Sequence, residues 1–116
     1  MTVTIWHNPR CSKSRQALEL LRKKGVEPVI RDYLKEPPSK AEVETLIALV
    51  GGDARELIRD GEPEFKKLGR KKAELGKADI AKAIAQHPIL LQRPVVVSGK
   101  KAALGRPPEA VLALLK

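Results

Sequence analysis

Apolar and polar positions along the chain alternate with two different periods, and the places where the period changes outline the elements. Thr2 to Trp6, TVTIW, is β-branched and aromatic and predicts a first strand. Asn8-Pro9-Arg10 interrupts it. From Ser12 to Lys24 the apolar residues Ala17, Leu18, Leu20 and Leu21 fall on one side of a helix. Arg22, Lys23 and Lys24 suit the negative C-terminal end of that helix, and Gly25 supplies a stop. The segment VEPVIRDY then predicts a second strand, parallel to the first because a helix connects them.

After the loop EPPS, Ser39 with Glu42 forms a capping-box pattern. Val43, Leu46, Ile47 and Val50 recur behind it at helical spacing, and Gly51-Gly52 ends the run. Asp53 with Glu56 repeats the cap pattern and predicts a short helix over ARELIR. Residues 60–77 are charged and carry Gly and Pro, with one short helix expected over Glu64 to Leu68. Ile80, Ala81, Ile84 and Ala85 make another helical face, which Pro88 must close. RPVVV reads as a buried strand, SGKK as a hairpin turn and AALG as a short partner strand. RPPEAVLALLK is expected to be a final helix, with its proline pair at the start, where a missing N–H costs least.

The order β-α-β, α-rich insertion, β-β-α predicts an α/β thioredoxin-like fold: a mixed four-stranded sheet with an inserted helical region. One domain over residues 1–116 is expected, the insertion lying at about 39–87; a chain of this length buries a core without staples. Pro94, directly before a buried strand, is a candidate cis proline, although only ~5–6% of X–Pro bonds in folded proteins are cis. In thioredoxin-like proteins such a proline lies beside the reactive cysteine.

Composition narrows the classes. Hydrophobic residues make up 42% and charged residues 32%, an ordinary globular balance. No apolar run approaches the ~20 residues of a membrane span, and the opening segment is too short and polar for a signal peptide. A single cysteine excludes an internal disulfide framework and suits a reducing compartment, so a cytoplasmic location is expected. Lys and Arg number 23 against 14 Asp and Glu, a net charge of +9 that points to an anionic small molecule or to nucleic acid. Only Trp6, Tyr33 and Phe65 are aromatic, so no stacking platform for bases exists and nucleic acid is disfavoured.

The lone thiol is the chemical landmark. Cys11 stands in HNPRCSKSR, at a strand-to-helix turn, with Arg10, Lys13 and Arg15 close by. A helix N-terminus and neighbouring cations favour the thiolate, and the same N–H groups bind an oxyanion. Asn8 can donate hydrogen bonds at this turn. His7, four residues before Cys11, is placed for base-assisted activation. The motif lacks a second thiol: Ser14 stands where a C-x-x-C pair would have its resolving cysteine. Ser14 is either a helix-cap residue or a hydroxyl donor to the thiolate. A cycle that oxidises Cys11 must therefore import its second thiol. His7, His87 and Cys11 cannot form a closed four-ligand zinc site, so no metal is expected.

The motifs WHNPRCSKSR, ARELIR, HPILLQRPVVV and LGRPPEAVL, in that order, resemble those of the bacterial glutaredoxin-coupled arsenate reductases, the ArsC family. The resemblance runs over nearly the whole chain. It implies that Cys11 is the nucleophile and that Arg59, Arg93 and Arg106 bind the arsenic oxyanion. It places the family's helper histidine at His7 and its motif serine at Ser14. It implies reduction of arsenate to arsenite through a covalent Cys–arsenic intermediate, with a role in arsenic resistance. The implied partners are glutathione as reducing co-substrate and glutaredoxin, with no bound cofactor. Two alternatives remain from the residues: a glutathione-dependent thiol reductase with another substrate, and a regulatory protein that binds a macromolecule through the same fold.

Overall fold

The computed structural model describes residues 2–106 and 108–115. Four strands form one sheet in the order β2-β1-β3-β4. These are β1 (Val3–His7), β2 (Val29–Asp32), β3 (Val95–Ser98) and β4 (Lys101–Leu104). β1 runs parallel to β2 and antiparallel to β3, and β3 runs antiparallel to β4. The sheet is mixed and the fold is thioredoxin-like, as the element order predicts.

The chain divides into two compact units, one made of residues 1–36 with 93–116, the other of residues 37–92. The first holds the sheet and the helix α1 (Ser12–Lys23). Ala17, Leu18 and Leu21 of α1 are buried with Val3 and Ile5 of β1, Val96 of β3 and Val111 in one apolar cluster. Each large aliphatic side chain buried this way contributes about 1.5–3 kcal/mol. α1 ends in a Schellman turn. Gly25 takes φ +80°, its N–H donates to the Arg22 carbonyl at 3.0 Å, and the Val26 N–H donates to the Leu21 carbonyl at 3.0 Å. Gly25 is suited to this position because a Cβ is disfavoured at positive φ. On β1 and β2 the paired residues Trp6 and Arg31 stack, with the guanidinium 4.7 Å from the ring centroid.

The segment Pro108–Leu115 is wound as 3-10 turns rather than the α-helix expected there. Pro107 and Lys116, which belong to that expectation, lie outside the described residues.

In the second unit, α2 (Lys40–Val50) and α4 (Lys77–Gln86) pack through Val43, Leu46 and Ile47 on one side and Ile80, Ala81, Ala83 and Ile84 on the other. Ser39 and Glu42 close both hydrogen bonds of the capping box, each at 3.1 Å. α3 is a single turn, Pro63–Lys66, earlier and shorter than the expected Glu64 to Leu68. α4 stops at His87, its C-cap, and Pro88 begins a 3-10 turn. ARELIR departs most from expectation. Only Ala54–Leu57 is helical, as a 3-10 turn, and Asp53 caps it by accepting from the Arg55 N–H at 3.0 Å instead of forming a second capping box with Glu56. Ile58 is extended and bridges Leu91.

Candidate active site

The sheet register builds the site. β1 and β2 are in phase up to the pair His7–Asp32. One residue further, Asn8 and Tyr33 stand side by side. β1 and β3 are in phase through Trp6–Val95, so two residues further Asn8 faces Arg93. Tyr33, Asn8 and Arg93 therefore form one row just beyond the C-terminal end of β1, and both Arg93 and Asn8 act on the Tyr33 phenol. Arg106 joins from just beyond β4, its Nε donating to the Arg93 carbonyl at 3.1 Å. The Arg93–Pro94 peptide is cis.

That approach of β4 depends on Gly105, whose N–H donates to the Pro94 carbonyl at 2.8 Å. A Cβ on residue 105 would lie 2.6 Å from Pro94 Cγ and 3.3 Å from a Val111 methyl. The proline ring is not a flexible side-chain end, so relieving that contact would be costly. The missing side chain lets the two strands remain close beyond their last ladder pair.

Cys11 follows a tight turn and stands at the N-cap position of α1, half-exposed. Its N–H donates to the Asn8 carbonyl at 2.9 Å, and its carbonyl accepts from the Arg15 N–H at 3.0 Å. Arg15 Nη1 donates to the Pro9 carbonyl at 2.7 Å and braces the turn. Burial pushes the Cys11 thiol up, but the Ser14 N–H, the Arg93 guanidinium and the Lys13 N–H together outweigh it. The net effect holds the thiol below its ordinary value. Arg10, the adjacent cation, has an exposed side chain and is not among the largest influences on the thiol.

Ser14 is fully buried and does two things. Its Oγ accepts from the Asn8 N–H at 3.1 Å and is joined to His7 Nδ1 at 2.6 Å. Its backbone N–H favours the thiolate. The serine thus supports Cys11 through its amide, while its hydroxyl staples the turn to β1. His7 is buried too; desolvation lowers its pKa, Arg15 and Arg22 add to this, and Asp32 opposes it. A neutral imidazole bonded to Ser14 is a positioning group for the turn. Asn8 Oδ1 accepts from the Arg10 N–H at 3.0 Å, which fixes its amide.

The electrostatics are those of an anion site with a nucleophile in it. Arg93 Nε and Nη1 are buried and have no hydrogen-bond partner among the described residues. Guanidinium nitrogens only donate, so their complement is an acceptor-rich group. Among the described residues no cluster of three or more His, Cys, Asp or Glu could hold a metal ion, and no helix is long and apolar enough to cross a membrane.

Of the residues expected in the site, His7, Asn8, Cys11, Ser14, Arg93, Pro94 and Arg106 belong to the first unit. Arg59 belongs to the second. It lies beyond the 3-10 turn it was expected to close, because the chain is already extended at Ile58. Its N–H donates to the Leu90 carbonyl at 2.7 Å, and its Nε pairs with Glu62 Oε1 at 3.4 Å.

The ArsC family model matches residues 6–114. The chain belongs to the ArsC family. It is 42% identical over 116 residues to an arsenate reductase of Haemophilus influenzae, covering 99% of this chain and all of that one. An arsenate reductase of Rhizobium meliloti is 44% identical over 115 residues, 99% of this chain and 82% of its own length. A solved arsenate reductase from Vibrio cholerae superposes with a TM-score of 0.89 at 40% identity, covering 98% of each chain. Within this ArsC site the reading of the residues missed Tyr33 and Gly105. Both carried a signal. Tyr33 directly follows a parallel strand next to the strand that leads to Cys11, and functional groups of α/β sheets collect at such carboxyl ends. Gly105 directly precedes one of the arginines.

Proposed function

We propose that this protein reduces arsenate to arsenite, with Cys11 as nucleophile and with glutathione and glutaredoxin supplying the electrons. One observation carries the reading: a thiol shifted toward thiolate lies beside a guanidinium whose buried Nε and Nη1 have no hydrogen-bond partner among the described residues. A nucleophile and an oxyanion receptor at one point fit attack on an oxyanion. The similarity to the arsenate reductases of Haemophilus influenzae and Rhizobium meliloti favours arsenate among such anions.

In this mechanism arsenate docks against Arg93, Arg106 and the amides at the start of α1. Arg59 enters through the family resemblance, as a third oxyanion ligand. Cys11 thiolate attacks arsenic(V); an S–As bond forms, an As–O bond breaks, and the oxygen departs as water after taking up protons. The guanidinium groups stabilise the charge that builds on the remaining oxygens. A glutathione thiolate then attacks the Cys11 sulfur. The S–As electron pair passes to arsenic, which leaves as arsenite, and a Cys11–glutathione disulfide remains. A glutaredoxin thiol removes the glutathione by exchange and restores Cys11. The sum is one arsenate and two thiols giving arsenite, a disulfide and water.

Steady-state turnover tests the reading. Arsenate should be consumed with glutathione and glutaredoxin and not with thioredoxin, and Cys11→Ser should abolish the reaction while the protein stays folded. Turnover with other disulfides or oxyanions but none with arsenate would move the protein to the thiol-reductase reading. No turnover with any of them would leave the regulatory one.

A further inference from the structure

Tyr33 is the largest side chain that is completely buried in this protein, yet its hydroxyl has no hydrogen-bond partner among the described residues. Buried hydroxyls are paired in the great majority of cases, and an unpaired one costs stability. The ring could be retained without that cost as phenylalanine. The place of the hydroxyl explains it. The register sets Tyr33 in the row with Asn8 and Arg93, and the groups that act on its phenol are Arg93, Asn8 and Cys11. Two further unpartnered buried donors, Arg93 Nε and Nη1, belong to the same row. Three donors gathered in one place, without a protein acceptor among the described residues, describe a receptor for oxygen atoms of a ligand.

We infer that Tyr33 is a substrate-contacting residue, whose hydroxyl donates a hydrogen bond to an oxygen of the anion bound beside Cys11. The inference rests on the oxyanion reading of the site and adds a neutral donor to it. Burial raises the phenol pKa, with the nearby thiol acting in the same sense and Arg93 and Asn8 opposing, so the group stays protonated at neutral pH. A neutral donor suits this position. It grips an anion without strengthening the field that already draws Cys11 into its thiolate form, and it discriminates by direction rather than by charge.

The test uses the fact that Cys11 is the only thiol. Alkylation by iodoacetamide therefore reads one site, and protection by inorganic phosphate, or by arsenate without reductant, reads anion binding there. Tyr33→Phe removes one oxygen and keeps the ring. The concentration of phosphate and of arsenate that halves the alkylation rate should rise about tenfold in this variant, the size expected for one hydrogen bond to a charged group. Its thermal midpoint without anion should equal or exceed that of the unmodified protein, because an unpaired buried hydroxyl has been removed. Equal anion protection in the two proteins would overturn the inference, as would a fall in the thermal midpoint with anion protection unchanged. Absence of protection in the unmodified protein would also overturn it. If phosphate protects and the tenfold shift appears while arsenate is never turned over, the arsenate reading fails and the role of Tyr33 stands.

Discussion

The Arg93 guanidinium stands beside the Cys11 thiol and favours its thiolate, whereas Arg10, next to Cys11 in sequence, keeps its side chain exposed. The strand pairing of β1 and β3 accounts for the difference: it brings the residue before Pro94 to the end of the strand that leads into the cysteine turn. Replacing Arg93 by methionine should therefore raise the midpoint of the Cys11 thiolate absorbance titration. Arg10→Ala should leave it where it is. An Arg10→Ala shift as large as that of Arg93→Met would mean that the turn, not the sheet, supplies the activating charge.

A second expectation concerns His7 and pH. Its folded pKa lies below the ordinary 6.5, chiefly through desolvation. The unfolded chain therefore binds a proton more readily than the folded one, and folding stability must rise with pH in the interval between the two values. Above 6.5 the contribution is constant; on acidification below it, stability is lost. Denaturant midpoints measured across this interval should rise as pH rises in the unmodified protein. His7→Asn should show a flatter profile, although it is less stable at pH 7 because the bond to Ser14 is weakened. An unchanged slope in the variant would assign the acid sensitivity to other groups.

Gly105 carries a steric prediction. The Cβ of alanine there would sit 2.6 Å from Pro94 Cγ, a contact that something must relieve. Either β4 separates from Pro94 or the proline itself moves, and both disturb the carbonyl of Arg93 that holds Arg106. Gly105→Ala should cost about 1–3 kcal/mol, typical of overpacking. It should also weaken phosphate protection of Cys11. A variant as stable as the original would show that β4 yields freely.

The parts of the molecule that depend on neighbours in sequence were legible without a structure. The turn before α1, the Ser39–Glu42 box and the Gly25 stop each follow from side chains within a few positions of one another. The parallel pairing of β1 with β2 and the β3–β4 hairpin followed from connection rules. The site was legible only in part, because three of its features arise from register. Tyr33 reads as an ordinary aromatic at a strand end until β2 is set beside β1. Gly105 reads as the last residue of AALG until the Pro94 ring is set against it. The cations nearest Cys11 in sequence looked like its activators, but a charge acts through space, and the cationic side chain with the largest effect on the thiol is that of Arg93. For Arg59 the helical pattern of ARELIR was misleading. The apolar residues Leu57 and Ile58 pair with the segment around Leu91 and Gln92, and this extended pairing ends the turn early.

The last prediction separates shape from charge at the arginines. Lysine keeps the positive charge and loses the planar fork that holds two oxygens at once. At Arg93 the fork is available, since Nε and Nη1 both lack a hydrogen-bond partner among the described residues. At Arg106 the Nε is used on the Arg93 carbonyl, a bond that lysine cannot reproduce in the same place. At Arg59 the Nε is paired with Glu62 Oε1 at 3.4 Å, and lysine would lose that directed contact. Arg22 is the control: it is exposed on the last turn of α1 and pairs with Glu27 at 3.0 Å, an interaction worth ~1 kcal/mol or less. Arg93→Lys should lower kcat/KM for arsenate by about 10²–10³, the loss found when one donor to a developing oxyanion is removed. Arg106→Lys and Arg59→Lys should each lower it more than Arg22→Lys, which should stay within about twofold of the unmodified protein. The split between kcat and KM locates each residue. A donor that tightens as arsenic is attacked lowers kcat, while one that only holds the ground-state anion raises KM. Equal effects at Arg22 and at the other three positions would reduce their contribution to net charge and remove the case for an arginine receptor around Cys11.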